Sequence, residues 1–189
     1  LITPYYNKPT PAGQIAHYTT IANAVDIPIM LYNVPGRTGI KMTPDTIATL
    51  SKIPNVVAVK EASGSVDQVT DILERCEITV LSGDDSLTLH MMSVGAVGVF
   101  SVAANVVPAD VAALCRFALE GNYTEARRIH FKLSRLFKTL FIETNPMPVK
   151  AALAAMGVIK NKLRLPLVPL EGKNLDVLTS LLRDMNVVS

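Results

Sequence analysis

Short apolar runs alternate with polar, helix-capped segments over the first 108 residues, and this alternation predicts consecutive strand and helix units. Strands are expected at 1–3, 28–32, 56–60, 78–81 and 98–102. Helix starts lie between them. Thr10-Pro11 and Thr43-Pro44 each set a capping hydroxyl before a proline at the first helical position, and Ser65 and Asp84 or Asp85 can cap the next two. The strand ends fall near Tyr6, Tyr32, Lys60, Gly83 and Ser101, at spacings of 26, 28, 23 and 18 residues. Such a period suits right-handed strand-helix-strand connections, so the runs should form a parallel sheet or barrel. In a barrel, loops that follow the strands share one face and bring distant residues together. A doubly wound open sheet is the alternative, but no glycine-rich nucleotide loop follows any strand.

Beyond Pro108 the pattern turns helical, with helices expected over 109–119, 124–143, 148–156 and 174–185. Gly121-Asn122 and the proline-rich segments around 145–148 and 165–169 separate them. The expected division is a partial barrel over 1–130 and a helical extension over 131–189. A closed barrel needs about 250 residues and eight strand-helix units. Only five strands are visible, and the chain opens in mid-strand, so the first three units are expected to be absent from a longer polypeptide.

Composition narrows the function classes. The chain has 189 residues, of which 49% are hydrophobic and 18% charged, the balance of a globular protein. A net charge of +2 and the lack of tryptophan give no support to a nucleic-acid surface. No apolar stretch reaches the roughly 20 residues of a membrane helix, and no leader is evident, so the expected compartment is the cytoplasm. Cys76 and Cys115 fit neither a disulfide framework nor a zinc site. His17, His90 and His130 are isolated from one another, and no metal site is expected.

The candidate chemistry sits at strand ends. Lys60 closes the run Val56-Val-Ala-Val-Lys60, where a barrel would deliver its amine into the reaction layer. An ordinary lysine titrates near ~10.4 and needs burial or a cationic neighbour to become a nucleophile. The bland reading is an exposed lysine paired with the adjacent Glu61. Tyr32 ends the previous strand, and Arg37 follows it in a turn-rich loop. Tyr5 and Tyr6 hold the corresponding place one unit earlier, and alternation along a strand would turn at most one of them toward the mouth. An imine-forming lysine, a proton-relaying phenol and a carboxylate-binding guanidinium suit carbonyl chemistry.

Four motifs then show a likeness. Leu31-Tyr-Asn-Val-Pro-Gly-Arg-Thr-Gly39, Val59-Lys-Glu-Ala-Ser-Gly64, Leu81-Ser-Gly-Asp-Asp85 and Gly98-Val-Phe-Ser-Val102 together resemble the dihydrodipicolinate synthase family. The likeness extends to Asn145-Pro-Met-Pro-Val-Lys150 and Leu163-Arg-Leu-Pro166 in the helical part. It implies a (β/α)₈ barrel with a C-terminal helical extension, here carrying strands four to eight. It also implies a lyase of lysine and diaminopimelate biosynthesis that condenses pyruvate with aspartate 4-semialdehyde, with no metal and no organic cofactor. By the resemblance Lys60 forms the pyruvate imine, Tyr32 relays protons, and Tyr6 reaches a neighbouring subunit's site in a homodimer or homotetramer. Arg37 would bind the semialdehyde carboxylate, and Gly83 and Phe100 would line the pyruvate site, Phe100 replacing a more usual aliphatic residue. The family's Gly-Thr-Thr loop has no counterpart here, so these residues alone are expected to be inactive. Rival readings are a sister aldolase, such as N-acetylneuraminate lyase or a 2-keto-3-deoxy sugar acid aldolase, and a non-catalytic assembly fragment.

Overall fold

The computed structural model describes residues 1–188. Helix α1 (Pro11–Asn23) begins where the Thr10 hydroxyl accepts the Gly13 N–H at 3.3 Å. Strand β1 (Ile29–Asn33) is followed by a one-turn helix, α2 (Pro35–Thr38), and by α3 (Pro44–Leu50), whose cap Thr43 accepts from Thr46 N–H at 3.2 Å. Strand β2 (Val56–Glu61) leads to α4 (Val66–Leu73), capped by the Ser65 hydroxyl on Gln68 N–H at 3.1 Å. Strand β3 (Thr79–Ser82) leads through a short 3₁₀ turn, capped by Asp84, into α5 (Thr88–Ser93). Each cap satisfies a helix-end N–H that would otherwise lack a partner.

The strands pair in parallel in the order β1-β2-β3. Apolar side chains from all three strands, among them Leu31, Val59 and Val80, are buried, while Val57 stays exposed; helical crossovers cover such a sheet. Helices α1, α3, α4 and α5 pack in chain order beside it. The expected outer strands are shorter than their sequences suggest. Segments 1–3 and 98–102 each make one isolated parallel bridge, Ile2 with Tyr32 and Val99 with Ser82. Pro4 lacks the N–H that would extend the first ladder, and after Phe100 the Ser101 hydroxyl accepts the Ala104 N–H at 2.8 Å and turns the chain. The loop expected after β1 is instead the α2 turn. Pro35 sits at its first position and Gly39 closes it at φ 67°, a conformation glycine adopts without steric cost.

The chain divides into two compact units, Leu1–Phe100 and a second beginning at Ser101. The boundary expected at 130/131 falls inside a continuous helix. In the second unit α6 (Pro108–Leu119) packs on α7 (Tyr123–Thr139), and α8 (Met147–Ala155) and α7 pack on α9 (Gly172–Asp184). Ala126, Ile129, Leu133, Leu136 and Phe137 form the buried stripe of α7, spaced three and four residues apart as a helix face requires. Helix α7 ends at Thr139, earlier than the expected 143, and Asn122 caps its start. His130 packs near the Phe131 and Phe137 rings, and both cysteines are half-buried thiols. No helix among the described residues is long and apolar enough to cross a membrane.

Candidate active site

Parallel pairing of β1 with β2 sets Tyr32 directly opposite Lys60, and Lys60 opposite Leu81 of β3. Both Tyr32 and Lys60 are half-buried. The Lys60 Nζ lies 4.1 Å from the centroid of the Tyr32 ring and 5.7 Å from that of Phe100. Ring faces attract an ammonium without binding it to a fixed acceptor, and among the described residues Lys60 makes no ion pair. The stem of the lysine runs beside Gly83, the first residue after β3. A Cβ at that position would stand 2.9 Å from Lys60 Cε and 2.6 Å from Ala62 Cβ. The Gly83 N–H donates to the Glu61 carbonyl at 2.7 Å, which ties the glycine to β2. Lys60, Tyr32, Gly83 and Phe100 therefore meet at one end of the sheet.

The remaining sequence candidates lie on the adjoining loops. Arg37 is exposed on α2, the turn leaving β1 immediately after the Tyr32-Asn33 tip. Tyr5 and Tyr6 are exposed, Tyr6 by 90%, and lie in an irregular segment and turn rather than a strand. The alternation expected for them does not apply there. This segment nevertheless reaches the Arg37 turn, because Lys8 Cε lies 3.2 Å from where a Cβ on Gly39 would stand.

Glu61 departs most from the sequence reading. It does not pair with Lys60, since neighbouring strand residues point to opposite faces, and it is fully buried. Its Oε2 accepts the Asn33 amide at 2.9 Å and its Oε1 accepts the Ser63 N–H at 2.7 Å. Asn33, the register partner of Glu61, accepts the Met42 N–H at 2.9 Å, and the Gln68 amide donates to the Met42 carbonyl at 2.9 Å. Burial pushes the Glu61 carboxyl above the usual carboxylate range, against the opposing pull of its hydrogen bonds and of the Lys41 charge. The available signal in the sequence was position. Asn33 and Glu61 each follow a member of the Tyr32 and Lys60 pair, and period-two alternation turns both to the core side.

Among the described residues no cluster of three or more His, Cys, Asp or Glu side chains could hold a metal ion. A shallow cleft lined by Ser51, Pro54, Val56, Val57, Glu77 and Ile78 lies at the opposite end of β2. It contains no residue of the candidate set.

Comparison with known proteins gives these positions a context. The profile of the Dihydrodipicolinate synthetase family matches residues 1–185. A 4-hydroxy-tetrahydrodipicolinate synthase of Syntrophobacter fumaroxidans is 55% identical over 92% of this chain and 61% of its own length. The crystal structure of dihydrodipicolinate synthase from Aquifex aeolicus superposes with a TM-score of 0.97 at 48% identity, covering 98% of this chain and 64% of that one. The chloride-inhibited dihydrodipicolinate synthase of Acinetobacter baumannii, solved in complex with pyruvate, gives a TM-score of 0.96 at 41% identity, with 100% and 65% covered. The chain thus spans less than two thirds of the length of these relatives. With nearly every residue inside the family profile and the fold shared at close range, the chain belongs to the dihydrodipicolinate synthetase family.

Proposed function

We propose that the protein condenses pyruvate with L-aspartate 4-semialdehyde to give 4-hydroxy-tetrahydrodipicolinate, and that Lys60 is its Schiff-base residue. The observation that carries this reading is the 4.1 Å approach of the Lys60 amine to Tyr32 across two registered strand tips. The names of the relatives and the pyruvate held by one of them point the same way.

In this reading the Lys60 amine adds to the keto carbon of pyruvate, water leaves, and an imine forms. Loss of a methyl proton gives an enamine, whose carbon attacks the aldehyde of the second substrate. The substrate's own amine then displaces Lys60 and closes the ring. Tyr32 carries protons to and from these centres. Arg37 holds the semialdehyde carboxylate through its planar donor fork. Gly83 and Phe100 line the pyruvate pocket, and exposed Tyr6 reaches the site of a second copy in a homodimer or homotetramer. The three strands and two flanking bridges are consecutive strands of a (β/α)₈ barrel. The lysine supplies the electron sink, so the reaction needs no metal or organic cofactor.

The test is to treat the intact parent polypeptide, with the Gly-Thr-Thr loop that the family resemblance calls for, with pyruvate and borohydride and map the reduced adduct. It should fall on Lys60, and labelling at another lysine would overturn the mechanism. Aspartate 4-semialdehyde should outcompete N-acetylmannosamine as acceptor, whereas preference for the sugar would assign the protein to the sister aldolases. Arg37→Ala should raise the KM for the semialdehyde by about tenfold to 100-fold, the scale of a lost charged hydrogen bond, and leave imine formation unchanged. Equal losses in both steps would reduce Arg37 to a scaffold.

A further inference from the structure

The hydrogen bonds beneath the Lys60 and Tyr32 pair have directions that permit only one arrangement. Both oxygens of Glu61 accept, one from the Asn33 amide and one from the Ser63 N–H. The Asn33 amide cannot turn over, because its Oδ1 is needed by the Met42 N–H at 2.9 Å. Its Nδ2 also lies 3.5 Å from the Met42 carbonyl. The two residues join three segments: the tip of β1, the tip of β2 with the turn after it, and the far end of the loop that carries Arg37. Asn33 and Glu61 are themselves register partners, one step beyond Tyr32 and Lys60.

We propose that Asn33 and Glu61 act as a buried positioning clamp: their cross-strand hydrogen bond holds the two strand tips so that Lys60 faces Tyr32, and their bonds to Met42 and Ser63 fix the loops leaving both strands. The catalytic part of this inference rests on the assignment of Lys60 and Tyr32 to pyruvate chemistry. Neither clamp residue touches the reacting atoms. Their effect is transmitted through strand register and loop closure, where a displacement near 1 Å can cost a large factor in rate.

Donor and acceptor chemistry supplies a selective test. In Glu61→Gln an amide NH₂ replaces one acceptor and meets a donor, either Asn33 or the Ser63 N–H. In Asn33→Asp two carboxyl groups oppose each other across the strands. The double variant, Asn33→Asp with Glu61→Gln, reverses the polarity of the pair. The new amide on β2 then donates to the new carboxylate on β1, while the amide oxygen still accepts from Ser63 and the carboxylate still accepts from Met42. The 3.5 Å amide contact to the Met42 carbonyl becomes an acceptor facing an acceptor at that longer distance, while Gln68 continues to bond that carbonyl at 2.9 Å.

Two readouts would be followed in the intact parent polypeptide, as wild type, both single variants and the double variant. The first is the rate of borohydride-trapped pyruvate adduct at Lys60 under saturating pyruvate. The second is amide hydrogen exchange at Met42 and Ser63. Each single variant should slow trapping at saturation by about tenfold to 100-fold with a smaller change in the pyruvate concentration required, and should expose both amides. The double variant should recover to within about threefold of wild type in both readouts. The clamp is overturned if the single variants keep wild-type trapping and exchange, or if the double variant is as impaired as the worse single. If the wild type traps no pyruvate at Lys60, the functional reading fails, and exchange alone decides the clamp. If a single variant does not fold, the double variant decides: wild-type protection supports the clamp, and failure to fold overturns it.

Discussion

The two faces of the β1 and β2 tips differ in what their polar groups are allowed to do. On one face the Lys60 amine lies over the rings of Tyr32 and Phe100 with no ion pair among the described residues, and both it and Tyr32 keep some access to solvent. On the other face, one residue further along each strand, Asn33 and Glu61 are fully buried, and their polar atoms are committed to fixed partners. A group that must form and break bonds gains from having no competing partner, whereas a group that must stay in place gains from having several. Period-two alternation lets adjacent residues of one strand serve both purposes.

The largest test of this contrast is Tyr32→Phe. It retains the ring beneath the amine and removes only the hydroxyl, so stability should change little. Exchange of pyruvate methyl protons into D₂O, followed by NMR, should slow by about 100-fold to 10,000-fold, the range for loss of a general acid-base group. Unchanged exchange would make Tyr32 a packing residue. Gly83→Ala presses on the reactive face from β3. Because Ala62 Cβ belongs to the backbone frame and cannot rotate away, the added methyl should cost about 1–3 kcal/mol in a urea melt. It should also push the lysine stem aside and slow adduct formation by about 100-fold. A variant with wild-type melting and trapping would show that the close approach is not required.

The smallest effect belongs to the buried face and is a pH dependence. At acid pH Glu61 is neutral in both the folded and unfolded chain. As pH rises past the ordinary value of 4.5 the unfolded chain ionises first, because burial holds the folded carboxyl higher. Stability is therefore full at the acid end and is lost as pH climbs through the raised value, at up to about 1.4 kcal/mol per pH unit inside that window. Glu61→Gln removes this slope while lowering stability overall. Urea midpoints of the two proteins that run parallel with pH would show that Glu61 ionises alike in both states.

The sequence carried the strand tips well, because Tyr32, Lys60 and Gly83 each end an apolar run, and it carried the helix starts, because Thr10, Thr43, Ser65 and Asp84 each place a capping oxygen just before a helical segment. The motif likeness identified the family from the same residues. Strand length at 1–3 and 98–102 was less legible, since a ladder depends on its partner as much as on its own apolar content. Pro35 and Gly39 did signal a helical turn, but a single turn is too short to show periodicity. Glu61 entered the sequence reading only as a partner for Lys60, a pairing that strand alternation opposes, so its buried role was missed. The division after Phe100 lies near the point, beyond Pro108, where the apolar pattern turns helical, but its exact place depends on packing between helices.

The placement of Lys60 and Glu61 on opposite faces also bears on how the chain finds its pairing during folding. A slip of one residue between β1 and β2 would turn the ammonium inward toward the amides of Asn33 and Gln68 and leave the carboxyl outside. An unpaired buried ammonium costs several kcal/mol. The same two side chains that divide the labour in the finished protein therefore make the nearest misaligned sheet unstable, giving this stretch of chain its own proofreading.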